Sequence, residues 1–256
     1  MSEADAPLTP HPHPPISPRR MPTIPRLYTP ADLTRGTTIA ATPAQAHYLG
    51  TVLRAGANDP VHLFNGRDGE WQAQIATLRR DRLTLALQHQ RRPQQPEPDL
   101  WLVFALLKRD ATDLVVQKAT ELGVSALHPV LTERTNTART NLDRLTAIAI
   151  EAAEQSERLT VPVIHPPRPL ADLLATWRPG RPLFAAVERA VEAPPLRPTS
   201  QPAALLVGPE GGFTPDELEA MARHPFVTRV SLGSRILRAE TACVAGLALL
   251  QAPLCG

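Results

Sequence analysis

Two short stretches hold the residues whose types and spacing could support chemistry. In ALLVGPEGGFTPDELEAM, residues 204–221, an apolar run ends in Gly208-Pro209-Glu210-Gly211-Gly212 and a helix start follows. In SLGSRILRAETA, residues 231–242, Gly233 follows a strand-like run, and Arg238 and Glu240 open a second helical stretch. Adjacent glycines let a backbone approach a ligand closely or take positive φ. Thr214-Pro215-Asp216-Glu217 has the pattern of a capping box, with Thr214 as N-cap, Pro215 first and Glu217 third. A bare helix N-terminus attracts anions. This one carries Asp216, Glu217 and Glu219 and stands beside Glu210, so a neutral or cationic ligand suits it better than phosphate. A tight turn before a well-capped helix would use the same residues. The loop is neither a GxGxxG dinucleotide fingerprint nor a GK[ST] phosphate loop.

The elements that must position these stretches fall into two groups. From 22 to 92 the signals are β. Val61 to Phe64 and Glu70 to Leu78 pattern as strands joined by the turn Asn65-Gly66-Arg67-Asp68-Gly69, and Arg82 to Gln90 alternates as another. Short strands with Gly/Asp turns predict a small barrel. Between them lies a helix with Thr42 as N-cap, Pro43 first and Gly56 past its end. RRPQQPEPD, Arg91 to Asp99, is a Pro-rich linker. Beyond it strands (LWLVFALL, SALHPVLT, VPVIHP, RPLFAAVE, AALLV, VTRVSLG) alternate with helices over Ala111 to Leu122 and Asn141 to Arg158. That alternation predicts an α/β domain with a mostly parallel sheet, whose strand ends are where ligands collect. The expected division is a Pro/His-rich tail at 1–20, a β domain at 21–92, a linker at 93–99 and the α/β domain at 100–256.

Composition narrows the function classes only modestly. A net charge of +2 gives no overwhelming electrostatic case for nucleic acid, although the basic residues other than Lys108 and Lys118 are all Arg. Aromatic residues are 4%, too few for an aromatic platform that stacks single-stranded bases. Cys243 and Cys255 form no CxxC pair, so neither a zinc site nor a disulfide framework is expected, and a reducing cytoplasm fits. Cys243 reads as a core residue. No apolar run reaches the length of a membrane span.

Taken together, LLVGPEGGFTPDELE and LGSRILRAETA resemble the paired signature of the bacterial 16S ribosomal RNA (uracil-N3)-methyltransferases of the SPOUT superfamily. IPRLY, HYLGTVLRAG, QKATELGV with HPVLTER, and EAAEQSERLTVP match further family blocks in family order, so the resemblance covers residues 21 to 252. It implies a PUA-like β-barrel followed by an α/β domain threaded into a trefoil knot, which general topology would not have suggested. It also implies S-adenosylmethionine as methyl donor, 16S ribosomal RNA of the 30S subunit as partner, and a homodimer, while the cysteine usage carries the expectation of a cytoplasmic location and no metal. The apolar C-terminal helix, Ala239 to Gln251, could serve dimer packing or the subunit's own core. One departure is Ser234, where the family pattern has Pro.

By this resemblance Val207, Gly208, Pro209, Gly211, Gly212, Leu232, Gly233, Ile236 and Leu237 form the cofactor pocket. Glu210 either touches the ligand or caps local backbone. Uracil N3 is a poor nucleophile until its proton leaves and charge spreads to O2 and O4. A fixed guanidinium would stabilise that anion. Arg238 is the candidate catalytic residue, with a salt bridge to Glu240 or Glu210 as the alternative. Gln155, Arg158 and Arg134 are candidate contacts to the target nucleotide or its phosphate. Arg26 and Arg54 are candidate phosphate contacts on the barrel domain, where an exposed Arg would otherwise be a solvated charge.

Overall fold

A computed structural model describes residues 23–79, 82–137, 139–188, 193–200 and 202–252. The tail at 1–20 and Cys255 lie outside the described residues. The first group of elements is β1 (Arg26–Tyr28), β2 (Thr38–Ala40), α1 (Pro43–His47), β3 (Pro60–Phe64), β4 (Glu70–Arg79) and β5 (Arg82–Arg92). The strands form one five-stranded sheet in the order β1-β3-β4-β5-β2. Buried Leu63, Ala73, Ile75, Leu83, Leu85 and Leu87 build its core, as the alternating sequence requires. Thr42 and Gln45 complete a capping box at α1. The helix then widens into a π turn over Tyr48–Val52 instead of running to Gly56, and the chain leaves through Arg54 at φ 53°.

The hairpin turn between β3 and β4 is built by Asn65, whose Oδ1 accepts the N–H groups of Arg67 and Asp68. Gly69 cannot be replaced there, because a Cβ would stand 2.2 Å from the Arg92 carbonyl oxygen and its φ is +73°. Just after this turn sits Glu70, 1% exposed. It accepts from Arg26 (2.7 Å), Arg91 (2.8 Å) and Arg92 (2.9 Å). Arg91 and Arg92 open the Pro-rich stretch but fall within the expected β domain at 21–92; they are the last residues of β5, held there by this buried carboxylate.

The second group is β6 (Leu100–Ala105), α2 (Arg109–Glu121), β7 (Ala126–Leu131), α3 (Leu142–Gln155), β8 (Val163–Ile164), β9 (Arg168–Pro169), α4 (Leu170–Ala175), β10 (Leu183–Ala186), β11 (Ala203–Val207), α5 (Pro215–Ala222), β12 (Val227–Val230) and α6 (Ala239–Gln251). The sheet runs β12-β10-β11-β6-β7-β8, with β9 also on β7, and every described pairing in it is parallel. Both faces are covered, so β11 is apolar throughout. Ala203, Leu205 and Val207 pack on the side of α2, α3 and α6, while Ala204 and Leu206 pack on the side of α4 and α5. Cys243 is buried in the first of these cores, where burial pushes its thiol pKa up. Gly246 brings α6 onto β11: a Cβ there would meet Leu205 Cδ2 at 2.6 Å.

The two domains are tied by the C-terminus of α3. That helix ends at Gln155, three residues short of expectation, and Glu157 turns the chain at φ 60°. Two of its orphan carbonyls take guanidinium donors, since Arg26 donates to Ala153 O (3.0 Å) and Glu154 O (2.8 Å), and also to Arg158 O (2.8 Å) beyond the helix. Arg92 donates to Glu157 O (3.1 Å), and the Tyr28 N–H to the Glu154 carboxylate (2.9 Å). Arg158 is buried and donates to Thr120 O (2.6 Å), Val124 O (3.1 Å) and Thr160 Oγ1 (3.0 Å). Arg26 and Arg158 were expected to face RNA. The structure corrects both, since their guanidinium groups are held inside the protein by its own acceptors.

At β6 and β7 a stack of rings fills one side of the sheet. His128 stacks on His165 at 4.2 Å between ring centroids and leans on Trp101 at 4.6 Å, and the Arg181 guanidinium lies 3.8 Å over Trp101. Burial, with His165, Arg168 and Arg181 nearby, pushes the His128 pKa down to about 3. The ring is therefore neutral near neutral pH.

Candidate functional site

A cavity of about 400 Å³ opens at the carboxyl ends of β10, β11 and β12. The turn after β11 forms one wall and the turn after β12 another, which brings the two glycine-bearing stretches to one place. Val207, Gly208, Pro209, Glu210, Gly211, Gly212, Leu232, Gly233 and Leu237 all line it. Ile236 is not among the lining residues and is 57% exposed. Gly233, at φ +124°, sets the turn that decides which of the next side chains face inward.

The first wall is closely specified. The Phe213 ring lies against Gly208, where a Cβ would come within 3.0 Å of it. Gly212 takes φ +67°. Thr214 then caps α5 as expected: its Oγ1 accepts from the Glu217 N–H (3.2 Å), and Glu217 Oε2 accepts from the Thr214 N–H (2.9 Å). The other oxygen, Oε1, accepts from the Glu133 N–H (2.9 Å). The next residue, Arg134, donates to Gly211 O (2.7 Å) and lays its aliphatic stem on Gly211, 3.3 Å from where a Cβ would be. Arg134 is thus part of the cavity rim, and Gly211 is small because that stem packs on it.

Several lining residues were not anticipated: Ala186 at the end of β10 with Val187 and Glu188 after it, Arg235 in the β12 turn, and Ala239 and Ala242 on α6. RPLFAAVE was legible as a strand, but that β10 lies between β11 and β12 was not. Arg235 stood in the quoted LGSRILR stretch and could have been found there.

Arg238 is the N-cap of α6, in extended backbone, with no side-chain cap. It is exposed and lines a neighbouring cavity together with Lys108, Arg109, Glu210 and Glu240. Glu210 borders both cavities. Among the described residues no ion pair joins Arg238 to Glu210 or Glu240, so its guanidinium stays available at the rim. Gln155, at the end of α3, and Arg54 are exposed and border neither cavity. Among the described residues no group of three or more His, Cys, Asp or Glu is arranged to hold a metal, and no helix is long and apolar enough to cross a membrane.

The site can therefore enclose a mid-sized ligand between apolar walls and two glycine turns, with carboxylates, Arg134 and the unpaired Arg235 at its edge. Known proteins share this arrangement of elements. Residues 94–251 match the RNA methyltransferase domain family and residues 41–88 the RNA methyltransferase PUA domain family. Ribosomal RNA small subunit methyltransferase E of Rickettsia conorii is 39% identical over 82% of this chain and 88% of its own length. The enzyme of that name from Synechocystis is 34% identical over 85% and 74%. The crystal structure of ribosomal RNA small subunit methyltransferase E from Neisseria gonorrhoeae, bound to S-adenosylmethionine, superposes with a TM-score of 0.82 at 32% identity, covering 90% of this chain and 98% of that one. With both family models matched in order and the relatives spanned over 74–98% of their length, the chain belongs to the ribosomal RNA small subunit methyltransferase E family.

Proposed function

We propose that the protein methylates N3 of a specific uridine in 16S ribosomal RNA with S-adenosylmethionine, acting on the small subunit in the cytoplasm as a homodimer. The observation that carries this reading is the cavity at the ends of β10, β11 and β12, whose counterpart fold in the Neisseria relative holds that cofactor. The residues fit the group. A volume of about 400 Å³ is in the range of small-molecule sites. Val207, Leu232, Leu237 and Ala242 offer apolar walls, the glycine turns offer backbone donors and acceptors, and Glu188 and Glu210 suit a cation better than a phosphate. When bound, S-adenosylmethionine supplies an electrophilic methyl group. Arg238 faces the substrate side and stabilises the negative charge that spreads over uracil O2 and O4 once the N3 proton has left. Arg134 and Arg235 hold the nucleotide at the rim. A trefoil threading of the turns after β11 and β12, and a closed barrel for the N-terminal sheet, belong to the same reading. The exposed Leu114 on α2 and Leu249 on α6 are where the second copy packs.

The test is transfer of labelled methyl to isolated 30S subunits and to naked 16S RNA, with nucleoside mass spectrometry of the product. Formation of 3-methyluridine is expected. Label recovered on another base or on ribose would replace N3 as the target, and no transfer to either substrate would remove the reading.

A further inference from the structure

We propose that a second cavity, between the N-termini of α2 and α3, is a phosphate subsite that grips the RNA backbone next to the target nucleotide. This rests on the reading of RNA as substrate. The cavity is about 340 Å³ and is bordered by Arg109, Arg139 and Arg144, with Thr137, Thr140 and Asn141 between them. Its one lining carboxylate, Asp113, is ion-paired with Arg144. Arg109 and Arg139 have no ion pair among the described residues, so the cavity keeps an excess of two positive charges.

The backbone adds to this field. Lys108, the N-cap of α2, makes no side-chain cap bond, so the first N–H groups of a 13-residue helix lack that partner. The 14-residue α3 also starts here, at Asn141, whose side chain caps the Arg144 N–H; Asp110 and Asp143 in the two first turns offset part of the helix dipoles, which leaves the guanidinium groups as the main source of positive charge. Two helix ends and two unpaired guanidinium groups around one hollow suit an anion of phosphate size and charge.

Position and lining say whose phosphate it is. Arg109 also borders the neighbouring cavity that holds Lys108 and Arg238, so the hollow continues directly from the rim where the reaction is placed. Lys108, Arg109, Arg139, Arg235 and Arg238 are all exposed and without an ion pair among the described residues. They stand along the carboxyl end of the sheet, interleaved in the neighbouring cavity with Asp110, Glu210 and Glu240, so the positive excess is concentrated in the hollow itself. No aromatic side chain lines the hollow, so a free nucleotide finds no ring to stack its base on. The site reads a backbone, not a base.

The experiment measures 16S RNA binding by fluorescence anisotropy across a salt series, for wild type, the double variant Arg109→Ala with Arg139→Ala, and Arg178→Ala. Arg178 is exposed and precedes β10, at the opposite end of the sheet. The double variant is expected to lose at least about tenfold in affinity and to flatten the slope of log K against log salt by roughly 1.4 to 1.8, for two lost phosphate contacts. Arg178→Ala is expected to change the slope by at most half as much. Calorimetry with S-adenosylmethionine should show the same affinity for the double variant and wild type, which establishes an intact fold. A wild-type slope in the double variant overturns the subsite. Equal losses in both variants overturn it too, because they would mean diffuse attraction. Inorganic phosphate is the second probe: if it binds the hollow in the millimolar range or tighter while the RNA slope is unmoved by the substitutions, the site serves free anions. Methylation at another atom with the slope change intact would overturn only the N3 assignment, and N3 methylation with an unmoved slope only the subsite.

Discussion

The arginines of the domain junction and those of the sheet's carboxyl end are the same residue type in opposite conditions. At the junction the Arg26 side chain is only 8% exposed and each of its nitrogens donates to a carboxylate or a carbonyl, while buried Arg158 fills both terminal nitrogens with carbonyls and a hydroxyl and has the Glu97 carboxylate 3.6 Å from its Nε. At the carboxyl end Arg235 and Arg238 are exposed and unpaired. A guanidinium with its donors filled orders protein; one with its donors free can order a substrate. What distinguishes them is whether an acceptor such as Glu70 or the end of α3 has already been supplied by the fold.

The contrast can be broken most sharply at Glu70. Replacing it by Gln leaves three arginines around a neutral group and should cost about 3 kcal/mol or more, lowering Tm by roughly 6–12 °C. Burial raises the Glu70 carboxyl pKa, but hydrogen bonds from Arg92 and Arg26 outweigh it and hold it below the ordinary range. Its contribution is therefore complete above the unfolded value and fades as pH falls through the folded one, so the Tm gap between variant and wild type should close in acid. A gap independent of pH would remove the charged hub. Next comes Arg158→Ala, which strands the carbonyls of Thr120 and Val124 and should cost about 2 kcal/mol by denaturant unfolding. Unchanged stability with weakened RNA binding would restore Arg158 to the substrate side and erase the comparison.

Arg238→Ala should do the reverse. Stability is expected to stay within about 0.5 kcal/mol, while methyl transfer falls at least about tenfold, equivalent to about 1.4 kcal/mol of transition-state stabilisation. Wild-type turnover would exclude it from the reaction. The smallest effect is expected at His128, neutral in the fold with a pKa of about 3. Its stabilising contribution is present above the unfolded value near 6.5 and drains away as pH drops toward 3. His128→Phe should therefore flatten the fall of Tm between those limits, and an unaltered profile would place acid sensitivity elsewhere.

What the sequence made legible was local. Thr214 with Glu217, Thr42 with Gln45, and Asn65 ahead of Gly66 each carry their partner within a few residues, and all formed as expected. The alternation of strands and helices gave the parallel sheet, and the paired glycine stretches gave most of one cavity's walls. What stayed hidden depended on distant partners. The acceptors of Arg26 lie 44 residues away at Glu70 and 127 to 132 away at the end of α3, and Arg91 and Arg92 look like linker until the buried Glu70 is seen to hold them. The short β9 and α4 went unread because two and six residues are too few for a period to show. Which of Arg235 and Ile236 borders the cavity was not legible, because two neighbours in one turn cannot be sorted into inside and outside without its dihedral angles.

Gly246 gives the cleft a gauge. Because it has no side chain, α6 rests on Leu205 of β11 at a spacing that one methyl group would not permit. The same helix carries Ala239 and Ala242 into the cofactor-sized cavity, one to two turns away. A methyl at 246 must either turn Leu205 within a filled core or lift the helix, and a lifted helix widens the hollow along its length. The width of the binding slot is in this way set by a residue that touches nothing in it, and enlarging or narrowing it for altered methyl donors begins at the back of the helix.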